Sequence, residues 1–415
     1  MKQLSLPLLW YYGLFGLPLA MVALPIYVYL PQFYAQKAAL PLAQIGAVLL
    51  TARVVAAFID PLLGWWIERG QGAYARYVAT ALPILLIGFV ALFQPPALGP
   101  AASLGWFLGT LILVYLGFGI ATIAHQSWGA ALTQAPEARA RVSGVREGCG
   151  LLGVVLAAAV TGAAGYGALC IAFGAALLAA GALLLWRAPR PAAVAHSAAQ
   201  PGLAWRELVA PFRVAPFRAL FAVLMVNGVA SAIPATLFLF FVADRLRLEQ
   251  YSGLFLIIYF GAAALSIPAW VAAAGRFGEA RSWIAGMLLS ACVFVWAFGL
   301  APGAAVAYGL ICLLSGLVLG ADLALPPALL AGVIAGAGHA GRREAAYFGL
   351  WNWGVQMTLA LAAGIALPLL GWLGYTPGSA PGADTGALVA AYALLPCLLK
   401  LIAAAMLWRA PLRNC

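Results

Sequence analysis

The chain has 415 residues, of which 65% are hydrophobic and 8% charged, and its formal net charge is +11. Soluble domains carry about 25% charged residues, so this composition excludes a water-soluble globular protein. The basic residues sit singly at the ends of apolar runs rather than in one patch, which removes nucleic acid as the reason for the positive balance.

A hydrocarbon core ~30 Å thick needs about 20 apolar residues per helical crossing. Stretches of that length recur along the whole chain, continuously apolar rather than alternating as barrel strands do. They predict an all-α integral membrane fold of twelve transmembrane helices. In the first half the spans are 10–33, 42–66, 77–94, 103–132, 144–165 and 168–187. In the second half they are 217–242, 252–274, 281–300, 304–334, 346–373 and 386–408. The first span is long and lacks a small-residue cleavage site after a short apolar core, so it reads as a retained helix rather than a signal peptide. Between the halves, 188–216 is a polar, Pro-rich linker with a short amphipathic piece at Trp205–Phe212. The expected domains are therefore a six-helix bundle over 1–187, the linker 188–216, and a second six-helix bundle over 217–415.

Charge placement sets the expected orientation. With twelve spans, seventeen Lys and Arg residues fall on the side of the termini, among them Arg69, Arg76, Arg139, Arg141, Arg146, Arg276 and Arg343. Lys37, Arg245 and Arg247 fall on the other. The positive-inside rule then puts both termini in the cytoplasm of a cell whose inner, or plasma, membrane holds the protein. The halves also echo each other. Gly46, Pro61 and Arg69 recur as Gly253, Pro268 and Arg276, each pair 207 residues apart, which argues for duplication. Parallel repeats of this kind place a binding site between the halves, near the bilayer midplane.

Ionisable side chains at membrane depth cost about 2.5–3.5 kcal/mol on insertion scales, so each one is a functional suspect. The set is short: Arg53, Asp60, His125, Asp322 and Lys400, with Glu147 near a boundary. Asp60, just before Pro61, is the foremost candidate. A carboxyl in a low-dielectric site favours its protonated form and can exchange a proton as the site opens to alternate sides. Arg53, two turns earlier on the same face, would hold it ionised if the two paired; a static packing pair is the bland reading. His125, with Gln126 and Trp128, offers substrate or proton contacts in span four, or a helix-bridging histidine and packing. Asp322, followed by Pro326 and Pro327, lines the cavity or closes a helix–helix pair. Asn227, Asn352 and Gln356 are neutral hydrogen-bonders for the cavity or interhelical glue. Lys400, near the end of span twelve, is expected to snorkel to the interface. The cysteines show no ligand spacing, so neither a metal site nor a disulfide is expected. No phosphate loop or hydrolase motif occurs, which leaves ATP-driven transport and those enzyme classes without a signal.

Three stretches point further: Arg53 with Asp60-Pro61-Leu62-Leu63-Gly64; Leu132-Thr133 with Glu137, Arg139, Arg141, Arg146 and Glu147; and Gly349 to Gly378, ending in LLGWLGYTPG. With the loop Gly64-x-x-x-Glu68-Arg69 and its echo around Arg276, they resemble the major facilitator superfamily. Within it they resemble the glycoside–pentoside–hexuronide:cation symporters, the family of melibiose permease. The resemblance implies two pseudo-symmetric six-helix bundles and a monomeric, cation-coupled carrier of a small organic solute of the sugar and glycoside class, with no cofactor. Asp60 matches one of two span-two acids that bind the coupling cation in that family. The other position is Ala56 here, which favours a proton over sodium, since sodium wants several oxygen ligands. The family's substrate acids fall on Pro18 and on Gln134 or Ala135, and its span-eleven lysine on Gln356. A lysophospholipid-like amphiphile is therefore an alternative substrate, and a non-transporting sensor on the same fold a second alternative. The expected cytoplasmic gate comprises Glu68, Arg69, Arg139, Arg146, Glu147 and Arg276.

Overall fold

The computed structural model describes residues 6–37, 42–70, 72–97, 99–133, 135–190, 209–372 and 386–410. Gln134, the linker residues 191–208 and the loop 373–385 after span eleven, with the end of the Gly349–Gly378 stretch, lie outside the described residues.

The described chain is helical throughout, in segments that follow the apolar runs. Helix α1 is segmented into Leu6–Gly13, Gly16–Leu24, a π-helical turn Pro25–Tyr29, and Leu30–Lys37. Then come α2 (Leu42–Arg69), α3 (Tyr74–Phe93) and α4 (Pro100–Leu132). The stretch Pro136–Arg187 holds two spans, because Gly165 interrupts it with φ 75° and ψ −173°. That left-handed, extended conformation suits glycine alone, so the turn between spans five and six is written into one residue. We call the segments before and after it α5 (136–164) and α6 (166–187). The second half continues with α7 (Ala215–Phe240, extended by a π turn Phe241–Leu246) and α8 (Ser252–Phe277). Next are α9 (Glu279–Phe294, with a 3₁₀ turn Val295–Gly299), α10 (Ala305–Gly336) and α11 (Glu344–Trp372). Last is α12, which runs as Gly386–Val389, a π turn Ala390–Leu394, and Leu395–Arg409.

Local chemistry explains the boundaries. Proline sits in the first turn of α4, α5 and α7, where its missing N–H costs nothing. Pro61, Pro83, Pro234, Pro268, Pro326 and Pro327 lie inside helices, which a membrane helix tolerates when its neighbours re-satisfy the freed carbonyls. With α5 and α6 counted as one continuous stretch, nine of the described helices are long and apolar enough to cross a membrane. Large apolar side chains face outward on both halves, including Phe58, Ile171, Trp186, Leu265 and Val306. So much exposed apolar surface is a liability in water and matches hydrocarbon tails.

The chain forms two compact units. The first is Met1–Pro211 together with Ile334–Trp353; the second is Phe212–Val333 together with Gly354–Cys415. The loop before α11 and that helix's first turns thus pack with the first unit.

Candidate functional site

Helix α2 carries Asp60 into the interior of the first unit, where the residue is buried. Its carboxylate meets α4 at Gly119: a Cβ there would lie 2.9 Å from Asp60 Oδ1. The approach is possible because position 119 has no side chain. Behind it lies a narrow cleft lined by Ala56, Asp60, Ile112, Tyr115 and Leu116, aliphatic apart from the acid and the tyrosine. Ala56, in the place of a second acid, lines the same cleft.

The Arg53–Asp60 pairing is corrected here. No ion pair or hydrogen bond reaches the Asp60 carboxylate among the described residues. Seven residues of helix amount to about 10.5 Å of rise, too far for those two side chains to span along one face. Arg53 is half-buried on α2 and makes its contacts elsewhere. The backbone around Asp60 is pressed tightly from the other side. A Cβ on Gly349 would lie 2.9 Å from the Asp60 carbonyl oxygen, and one on Gly64 would lie 2.5 Å from the Ala345 carbonyl. Two glycines therefore let α2 and α11 touch backbone to backbone next to the acid.

On α4, His125 is fully enclosed. Its Nε2 lies 3.0 Å from the Tyr12 carbonyl, and the Tyr12 hydroxyl donates to the His125 carbonyl at 2.9 Å. Tyr12 and Phe15 pack on the ring, with centroids 4.3 Å and 5.2 Å away. The geometry is that of a bridge between α1 and α4. Because a carbonyl only accepts, Nε2 is the donor of this contact, and in a neutral ring Nδ1 is an acceptor. That Nδ1, Thr122 Oγ1 and Gln126 Oε1 are buried with no partner among the described residues. Their spacing of three and four residues puts all three on one face of α4. Trp128 faces a different duty: its indole N–H donates to the Pro189 carbonyl at 2.8 Å, tying α4 to the end of α6.

In the second unit the structure assembles a cluster that the sequence showed only in pieces. Asp322 Oδ2 and Lys400 Nζ form an ion pair at 2.6 Å. Asp322 Oδ1 accepts from Asn227 Nδ2 at 3.2 Å and from Trp283 Nε1 at 2.8 Å. Lys400 Nζ also donates to Asn227 Oδ1 at 3.1 Å. Helices α7, α9, α10 and α12 each contribute one residue. Snorkelling of Lys400 is thereby corrected: the residue is buried, because an acid within 3 Å offers a cheaper partner than the distant interface. The missed signal was arithmetic. Span ten holds one acid and span twelve one base, and neither can stay in a membrane alone. Trp283 left no such trace. Asn352 and Gln356 are half-buried on α11, the first in the first unit and the second in the second.

The expected gate residues part company. Glu68 pairs with Arg343 (Oε1 to Nε, 2.7 Å), a residue absent from the expected set. One position on, Glu344 accepts from the Tyr74 hydroxyl at 3.0 Å and from the Gly341 N–H. Arg69 lies over the Trp65 ring, 4.3 Å from its centroid. Arg146 pairs with its neighbour Glu147 at 2.6 Å, and Arg139 is buried. Arg276 is exposed and lies 5.8 Å from the Phe277 ring centroid.

A family model described as MFS/sugar transport protein matches residues 11–414. An uncharacterized symporter, YjmB of Bacillus subtilis (strain 168), is 26% identical over 138 residues, 32% of this chain and 30% of that protein. The chain thus matches under a third of that relative's length. Among solved structures, the Escherichia coli fucose:proton symporter FucP superposes with a TM-score of 0.72 at 16% identity, covering 98% of this chain and 99% of that one. An outward-facing bacterial homologue of the iron transporter ferroportin gives the same TM-score, identity and coverage. The proton:xylose symporter XylE gives 0.64 at 12% identity over 97% and 94% of the two chains. At such identities the likeness is one of fold, and the fold is the twelve-helix major facilitator fold.

Proposed function

The chain belongs to the MFS/sugar transport protein family, and from that membership we propose that it is a proton-coupled symporter of a small, hydroxylated organic solute such as a sugar. It is a multi-pass membrane transporter and not an enzyme. The proton reading rests on Asp60, a buried carboxyl in the first unit with no counter-charge among the described residues. An isolated ion at that depth costs several kcal/mol, whereas a protonated acid is neutral. Sodium is disfavoured because the cleft around Asp60 is lined mainly by aliphatic side chains, and a metal cation needs several oxygens. Binding and release of one proton can then bias the carrier between its two access states, by as much as the states differ in proton affinity. The same reading puts both termini in the cytoplasm, on the strength of the basic residues gathered at one set of helix ends.

The experiment is uptake into proteoliposomes of radiolabelled D-glucose, D-galactose, D-xylose and L-fucose. An inward pH gradient is expected to drive accumulation of at least one of them, and a sodium gradient at equal pH none. Asp60→Asn is expected to abolish accumulation while sparing counterflow, in which labelled sugar exchanges for unlabelled sugar without a gradient. Undiminished pH-driven accumulation in that variant removes the mechanism.

A further inference from the structure

The Asp322 cluster has hydrogen-bonding capacity to spare, and its remainder is specific. An ionised carboxylate offers about four acceptor sites. Asn227 and Trp283 take two on Oδ1, and Lys400 takes one on Oδ2. One acceptor site on Oδ2 is left. An ammonium offers three donors. Lys400 spends one on Asp322 Oδ2 and one on Asn227 Oδ1, which leaves one. The spare acceptor and the spare donor sit on atoms 2.6 Å apart. The pair is not sealed either: the Asp322 side chain keeps 13% of its surface and Lys400 8%.

From this remainder we infer that Asp322 and Lys400, held by Asn227 and Trp283, form a hydroxyl-binding subsite for the solute. One hydroxyl of the ligand donates to Asp322 Oδ2, and the same or the adjacent oxygen accepts from Lys400 Nζ. A vicinal diol fits both at once. The cluster is neutral overall, which selects against ions. An anion bound to Lys400 faces Asp322 beside it, and a cation bound to Asp322 faces Lys400. Trp283 is fully buried and spends its N–H on Asp322, so it fixes the carboxylate rather than stacking on a sugar ring. Ser231, one turn beyond Asn227 on the same face of α7, adds a buried hydroxyl with no partner among the described residues. The inference rests on the carrier reading for its substrate class, but it assigns recognition to the second unit and leaves energy coupling to Asp60.

The test is a cycle between protein and ligand, read in counterflow at equal pH on both sides so that coupling plays no part. Wild-type protein is assayed with the four neutral sugars, their single-deoxy analogues, D-glucuronate and D-glucosamine. Removing one particular hydroxyl is expected to raise KM about tenfold in the wild type. The same deletion is expected to cost little in Asp322→Asn/Lys400→Gln, which removes both charges together and whose KM for the parent sugar is already raised about tenfold. Should that variant not fold, Trp283→Phe, which keeps both charges, carries the same cycle with a smaller interaction. Additive effects of hydroxyl and variant overturn the inference, as does preferred exchange of glucuronate or glucosamine, or no exchange of any neutral sugar. Additive effects alongside intact pH-driven accumulation sink the subsite and spare the Asp60 mechanism. A positive cycle with Asp60→Asn still accumulating does the reverse.

Discussion

Each half of this molecule carries an aspartate at membrane depth, Asp60 buried and Asp322 half-buried, and the two are handled in opposite ways. Asp60 enters the first unit against a bare glycine, with no donor and no cation on its oxygens among the described residues. Asp322 enters the second unit and receives two neutral N–H donors and an ammonium. The difference decides what each acid can do. A fully bonded ion pair keeps its charges, since removing either partner strands the other in a low dielectric. An acid with no partner is stable only when something neutralises it, and a proton is the smallest ligand that does so. In the proposed mechanism Asp60 is the acid that changes state, while Asp322 serves as a fixed partner of Lys400, and no comparison of residue types alone separates them.

The strongest way to break this contrast is to strip each acid of its surroundings. Lys400→Met leaves Asp322 without its counter-charge, and is expected to cost about 3–5 kcal/mol of stability. In a detergent-solubilised sample that appears as a steep fall in Tm or in the yield of monodisperse protein. Adding Asp322→Asn to the same chain is expected to recover most of the loss, because the uncompensated charge is gone. Asp60→Asn, by contrast, is expected to move stability by less than about 1 kcal/mol, as no bond is lost. A Lys400→Met protein as stable as the wild type contradicts the contrast outright. A smaller effect probes how Asp60 is held. Gly64→Ala forces a methyl to within 2.5 Å of the Ala345 carbonyl, a backbone atom that has nowhere to go. Overpacking of that kind costs about 1–3 kcal/mol. It is expected to lower Tm and pH-driven uptake together, whereas Gly46→Ala, with open space around it, is expected to change neither.

The helices were legible because a membrane asks one question of each residue, and twenty apolar residues in a row answer it. Even the turn at Gly165 fell on the last residue of the expected fifth span. Asp60 was legible for the same reason, since a lone acid in an apolar run stands out. What the sequence hid was partnership. Arg53 and Asp60 share a helix and looked paired, yet two turns of rise keep them apart. Lys400 and Asp322 are 78 residues apart and looked unrelated, yet they meet at 2.6 Å. Periodicity reports which residues share a face within one helix and is silent on which faces of two helices meet. Pairing across helices depends on packing, so the partnerships of Trp283, Arg343 and Glu344 are visible only in the structure.

Weaker interactions at the loop before α11 give the finest test of how the first unit is closed. Glu68 and Arg343 keep 18% and 27% of their side-chain surfaces, so Glu68→Gln is expected to cost no more than about 1 kcal/mol, and less at high salt. His339, in the loop outside the spans, gives a still smaller effect with a definite sign. Its Nδ1 lies 2.8 Å from the Tyr347 hydroxyl, whose residue is fully buried. Burial, and then the Arg343 guanidinium, hold the imidazole below its ordinary value of 6.5. The folded chain thus binds that proton less readily than the unfolded chain. Above 6.5 neither form is protonated and the group contributes nothing. As pH falls through that value the unfolded chain takes up the proton first, and stability declines. Lowering pH from about 7.5 to about 5.5 is therefore expected to depress the Tm of the wild type more than that of His339→Gln, whose side chain does not titrate. Parallel acid slopes for the two proteins would show that the loop is not gripped where the Tyr347 contact places it.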